Sequence, residues 1–372
     1  MQPIAALMLC ALLGTAPGQA QQAVSFKNFN QFRGIVPGVD FFAANRQAVV
    51  PFEKPAAEGM QKLATLLGGE LPKGAVFICS TLQQKDSIYE PRVLRSGYSW
   101  VVVALTAEAR AEEQLERMRQ QMGGELPAEV RDRIRNRPPE MRAAAEAALA
   151  RTTVRQMALA VLQAALAPDR EYRSSRLEDV GRSPLPDWLD IGIASWVSGT
   201  GANVAFLQQN LDQTFPLEDV LGMARPFVAP TSEGGGGGGG GAGGGGTVIR
   251  MGEGGGQERS GPGQGGGGRG GGGSRMLPKD QQDRMLFDGQ ASTFFSYLVE
   301  KVGIEKVKEL IQSGRDGKPS TPFIMQPEVL GASIEKIEEA WLAWVKTLKP
   351  EQPQEMRIRV ERPGGQPPQP IE

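Results

Sequence analysis

The fold of this chain is decided by LPDWLDIGIASW, residues Leu185 to Trp196. A helix follows Pro186-Asp187, with Trp188, Leu189, Ile193, Trp196 and Val197 supplying its apolar positions and Gly199 ending it. Upstream, Glu140 to Leu166 is a long alanine-rich helix with no Gly or Pro inside it, stopped before Pro168. Alanine is the best helix former, and Val154, Met157, Ala158, Val161, Leu162 and Ala165 give the second half an apolar stripe.

Further upstream, Ala57 to Leu67 has helical spacing and ends at Gly68-Gly69, after a polar lead-in. Gly74 to Ser80 and Tyr98 to Leu105 read as buried strands, with Arg92-Val93-Leu94 as a short edge between them. Thr106 and Glu108 open a charged helix that runs to about Met122. Downstream of Trp196, helical turns cover Ala202 to Gln209 and Leu217 to Leu221. Ser292 to Val302 and Ile304 to Gln312 form two helices separated by Gly303. Ser333 is positioned as the N-cap of a last helix that carries Ile334, Ile337, Trp341, Trp344 and Val345.

The expected class is α+β, a small N-terminal α/β-sheet unit followed by a mainly helical half. The expected boundaries are 1–20 for a leader, 21–125 for the sheet unit and 126–232 for the first helical part. Residues 233–275 are a glycine-rich insert, 276–349 the closing helices and 350–372 a Pro/Gln-rich tail. Glycine dominates Glu233 to Ser274, and such a composition cannot bury enough apolar surface to offset its ordering entropy. A flexible coil of that length has ends about 35 Å apart, so it can leave and rejoin one domain.

Ile4 to Leu13 is an apolar run followed by Gly14 and Pro17, and Gly18-Gln19-Ala20 has the small residues of a cleavage site. The run is too short to span a bilayer. The expectation is export to the periplasm or beyond the cell, with no membrane span once the leader is removed. Cys79 would then be the only cysteine left, placed in the apolar run Ala75 to Cys79 and read as a buried strand residue.

Four pieces of the sequence occur in a telling order: the long apolar helix, the Trp188 segment, Phe294-Phe295-Ser296-Tyr297-Leu298-Val299-Glu300-Lys301-Val302-Gly303, and Ala332 to Trp341. Together they resemble the peptidase-MA-like branch of the gluzincin (thermolysin-like) zinc metallopeptidases. In that family the long helix carries H-E-x-x-H and the next helix carries a W-L-x-E-G-x-A-like segment with the third metal ligand. The resemblance implies that Arg155 and Leu159 stand at the two histidine positions, Gln156 at the general base and Ile191 at the third ligand. None of these can serve. Arginine stays protonated, Leu and Ile offer no lone pair, and Gln keeps the shape of Glu without its basicity.

Composition agrees with the loss. The 372 residues include no histidine and carry a net charge of -1. That excludes Ser-His-Asp and Cys-His hydrolases and every histidine-containing zinc site. It also gives no bulk attraction to nucleic acid or anionic membrane. The expectation is therefore a pseudopeptidase with no catalytic residue, metal or other cofactor, which holds a peptide or protein partner in a retained cleft.

Two other readings stay open. Glu146, Glu178, Asp187 or Asp190 could pair for acid-base chemistry without a metal. Alternatively, the glycine segment, with Gly268-Arg269-Gly270-Gly271, is a surface or adhesive spacer, its arginines too sparse for a nucleic-acid footprint. Arg155 itself has two placements on sequence: reaching solvent, or entering the vacated metal position to pair with a carboxylate such as Asp190.

Overall fold

Strands β1 (Asn30–Val36) and β2 (Val39–Ala43) form an antiparallel hairpin about Pro37-Gly38. Gly38 has φ 74, the left-handed conformation that a tight turn with Pro at its first central position requires at its second. The structure, a computed structural model, describes residues 26–122, 124–136, 138–168, 182–200, 204–226 and 279–349. The leader, the glycine-rich stretch, the C-terminal tail and Glu178 lie outside these residues.

Helix α1 (Val50–Leu67) carries the chain from β2 to β3 (Gly74–Cys79), which pairs parallel with β2. Helices α2 (Leu82–Asp86) and α3 (Glu90–Arg95) then lead to β4 (Trp100–Leu105), parallel to β3. The result is a four-stranded sheet in the order β1-β2-β3-β4. Parallel strands need crossovers of this kind, and helices on the faces bury them on both sides. Hence all six residues of β3 are buried.

Alternation along the strands separates two apolar layers. Phe41, Val76, Ile78, Trp100 and Val102 face the larger core, while Phe42, Ala75, Phe77, Val101 and Cys79 face a smaller one with Phe26, Phe29 and Val93. Phe42 and Phe77 stack at 4.7 Å between ring centres.

Helices α4 (Ala107–Met122) and α5 (Ala128–Arg135) lead to α6 (Pro139–Leu166), which packs on β4, α1 and α7 (Asp187–Ser198). Helices α8 (Val204–Gln209) and α9 (Leu217–Gly222) follow. The last three are α10 (Lys279–Arg315), α11 (Ser320–Ile324) and α12 (Ile334–Thr347). One core runs without interruption from the sheet through α6, α7, α10 and α12. Sheet and helices thus share one interior.

The sheet unit followed by a mostly helical region is as the sequence indicates. Three details differ. Arg92, Val93 and Leu94 lie in helix α3, not on a strand: Pro91 at its start fixes φ for a helical turn, and six residues are too few to show a period. The lead-in before residue 57 contains the β1–β2 hairpin and the first turns of α1. Ser333 does occupy the N-cap, but its hydroxyl makes no capping bond to an amide.

Candidate functional site

Arg155, on α6, points to Asp288 on α10 across a seam where the two helices make few direct contacts. Its Nη2 lies 3.8 Å from Oδ2 of Asp288, and the two side chains are only 20% and 23% exposed. Asp288 already has a closer partner. Arg225, just past α9, donates from Nε to Oδ1 at 2.7 Å and from Nη2 to Oδ2, a bidentate fork. The backbone N–H of Arg225 is held in turn by Asp187, at the start of α7, at 2.8 Å. Four parts of the chain thus meet at one small polar junction. Planar guanidinium groups suit it because their donors match the two oxygens of a carboxylate.

Arg155 is the under-satisfied member. It makes no hydrogen bond to any described residue, and its Nε is fully buried without a partner. Burial pulls its pKa down from the usual value; Asp288 opposes this, while the charges of Arg225 and Arg284 add to it. Most buried polar groups are hydrogen-bonded, so a guanidinium left in this state calls for a physical reason.

The residues picked out by the family resemblance divide by environment. Leu159, one turn beyond Arg155 on α6, and Ile191 on α7 are both in the apolar core, at 7% and 0% exposure. Gln156 is half-buried on α6. Arg155 turns inward to a carboxylate, but that carboxylate is Asp288. Asp190 is buried and accepts from the Ser183 hydroxyl at 2.7 Å. Among the described residues no cluster of His, Cys, Asp and Glu could hold a metal ion.

The helix that carries Ile191 is fitted closely to α10. A Cβ on Gly192 would fall 2.5 Å from Cβ of Phe295, so only glycine allows this approach. Beside it, the Ser292 hydroxyl donates to Ser195 Oγ at 2.8 Å. Trp188 is fully buried with its ring 5.7 Å from Phe294, a packing role. Trp196 is half-buried against Phe295 and carries Lys62 over its ring at 5.2 Å.

A second polar centre escapes the sequence reading. Asp40 on β2 is 7% exposed; its Oδ2 accepts from the Tyr98 hydroxyl at 2.7 Å and from Gln31 Nε2 at 3.0 Å. Lys73 and Arg33 lie 3.7 and 3.9 Å away. Burial, and then Asp40, push the Tyr98 phenol well above its usual range. The visible signal is an aspartate between Val39 and Phe41 in an otherwise apolar strand. Its oxygen is fully engaged, so the cluster fastens β1 and the chain entering β4 to β2 (a structural duty).

Cys79 is completely buried on β3, and burial raises its thiol to about 12, which leaves almost no thiolate for chemistry. An open groove of about 660 Å³ lies beside β1 and the start of α1, where Arg46 and Glu53 pair across it at 2.7 Å. Among the described residues no helix is long and apolar enough to cross a membrane. No protein-family model, curated protein or solved structure matches the chain.

Proposed function

We propose that this chain is an exported, non-catalytic protein on a peptidase-like (gluzincin-like) scaffold, which recognises a peptide or protein partner. The observation that carries this reading is Arg155: a permanent cation, half-sunk in the α6–α10 seam beside Asp288, at the position the resemblance gives to a metal-binding histidine. A fixed positive charge repels a metal ion and offers it no lone pair. The same charge is suited to holding an anionic group.

Support for a non-catalytic role also comes from the carboxylates that could have replaced metal chemistry. Asp187 is engaged by the Arg225 amide and Asp190 by Ser183, so each serves as an acceptor that fixes structure. Glu146 is half-buried on α6 with no proton-accepting partner to suggest acid-base work among the described residues.

The test is metal analysis of the full chain purified without chelator, together with peptidase assays with and without chelator. The expected result is substoichiometric zinc and no chelator-sensitive cleavage. One tightly held zinc per chain, or cleavage abolished by chelator, overturns the reading.

A further inference from the structure

Asp288 is hydrogen-bonded to one of its two arginines and not to the other. Arg225 occupies both carboxylate oxygens through its fork, and Arg155 is left at 3.8 Å, beyond hydrogen-bond reach. Arg284, one turn before Asp288 on α10, adds its charge to the same seam. Asp187 accepts from the backbone N–H of Arg225 and so fixes the place of that fork.

A guanidinium has five N–H donors, and none of those on Arg155 is bonded to a described residue. Nε is sealed from solvent, so an acceptor must approach through Nη1 and Nη2. Two parallel donors on a flat edge match two oxygens on a flat carboxylate; the pair is strongest where water is partly excluded, as it is here.

We infer that Arg155 is the anchor of a carboxylate-binding site in the α6–α10 seam, and that the carboxylate it takes is the C-terminal carboxyl group of a peptide. The second half of this inference rests on the peptide-recognition reading above; the first half does not. Arg155 binds the group, while Arg225 and Asp288 hold the seam in shape.

The experiment uses the full chain at neutral pH, as wild type, Arg155→Lys and Arg155→Met, each first shown to fold by circular dichroism and melting. Acetate is compared with chloride and with inorganic phosphate at matched ionic strength by thermal shift. A pooled library of N-acetyl hexapeptides with free C-termini is compared with the same pool amidated, by calorimetry. Acetate should raise the wild-type Tm above its value in chloride, and Arg155→Met should abolish the difference. The free-acid pool should bind at least about tenfold tighter than the amidated pool, which corresponds to roughly 1.4 kcal/mol. The Lys variant should keep part of that preference and the Met variant none.

An equal response to acetate and chloride, or an acetate response that persists in Arg155→Met, overturns the site. A larger response to phosphate than to acetate overturns the carboxylate assignment in favour of a phosphoryl group. An Arg155-dependent acetate response without any acid-over-amide preference leaves the site standing and overturns the peptide reading.

Discussion

Glu113 on α4 shows how one side chain can tie stability to pH in a protein without histidine. It is 8% exposed, accepts from Lys85 at 2.7 Å and from Arg110, and has Arg117 at 3.7 Å. Burial alone raises its carboxyl, but the Lys85 hydrogen bond and the charges of Arg110, Lys85 and Arg117 outweigh it, so the folded value lies below the ordinary 4.5. A depressed value stabilises the fold fully above the unfolded value and loses that contribution as pH falls through the folded one. Urea midpoints measured from pH 6 down to pH 3 should therefore fall for wild type, and less steeply for Glu113→Gln. Parallel slopes would show that Glu113 is not the coupled group.

Arg155 gives the opposite expectation at the same scale. Arg155→Met removes a partly desolvated cation and leaves Asp288 with its Arg225 fork intact. Replacing poorly compensated buried charge with an apolar chain of similar length is often stabilising, so a gain on the order of 1 kcal/mol is expected in denaturant titration. A loss of more than about 1 kcal/mol would mean that the guanidinium is better satisfied than its contacts indicate. Sequence pointed to Arg155 as a residue of interest but not to its partners. Asp288 and Arg225 sit on segments far along the chain, and no local spacing announces a pairing made by tertiary packing.

Two glycines separate what a helix asks of its backbone from what it asks of its neighbour. Gly303 divides α10 with φ 76 and ψ 171, a conformation almost confined to glycine, and nothing lies near enough to clash with an added Cβ. Gly192 is in regular helix, and its cost would come from Phe295 at 2.5 Å and the Ala291 carbonyl at 3.1 Å. Both alanine substitutions should lower stability by roughly 1–3 kcal/mol, the first by backbone strain and the second by overpacking. The discriminating measurement is a second-site change. Phe295→Leu should relieve part of the Gly192→Ala defect and none of the Gly303→Ala defect. Equal rescue of both, or of neither, would sink the distinction.

Elements with strong punctuation were legible. Pro186-Asp187 and Gly199 bracket α7, and Gly303 marks the break that α10 contains. The β1–β2 hairpin was not, because all five residues of β2 are buried and a strand covered on both faces shows no alternation. The turn residues Pro37-Gly38 and the adjacent Phe41-Phe42 pair are the local signals of this hairpin.

At the scale of the molecule, several hydrogen bonds join residues before position 227 to residues after position 278. Gln290 is fully buried and grips Phe215 at both its N–H, at 3.0 Å, and its carbonyl, at 2.7 Å. Glu338 accepts from the Leu217 amide at 3.2 Å, and Gln208 reaches the Val345 and Leu348 carbonyls at the end of α12, both at 2.9 Å. None of these bonds involves the glycine-rich stretch. Deleting 233–274 shortens the connection about fivefold, and loop closure predicts a stabilisation of roughly 1 kcal/mol. The Tm of the deletion should be unchanged or a few degrees higher. A clear drop would show that the segment contributes contacts of its own.

Those same bonds should hold the two parts of the fold together without the covalent connection between them. Gln290, Arg225 and Glu338 each clasp a residue on the far side of that connection, as two leaves of a hinge are held by separate pins. A protease that severs the connection would release no fragment, and two separately synthesised pieces meeting there should find one another and assemble into a single working body.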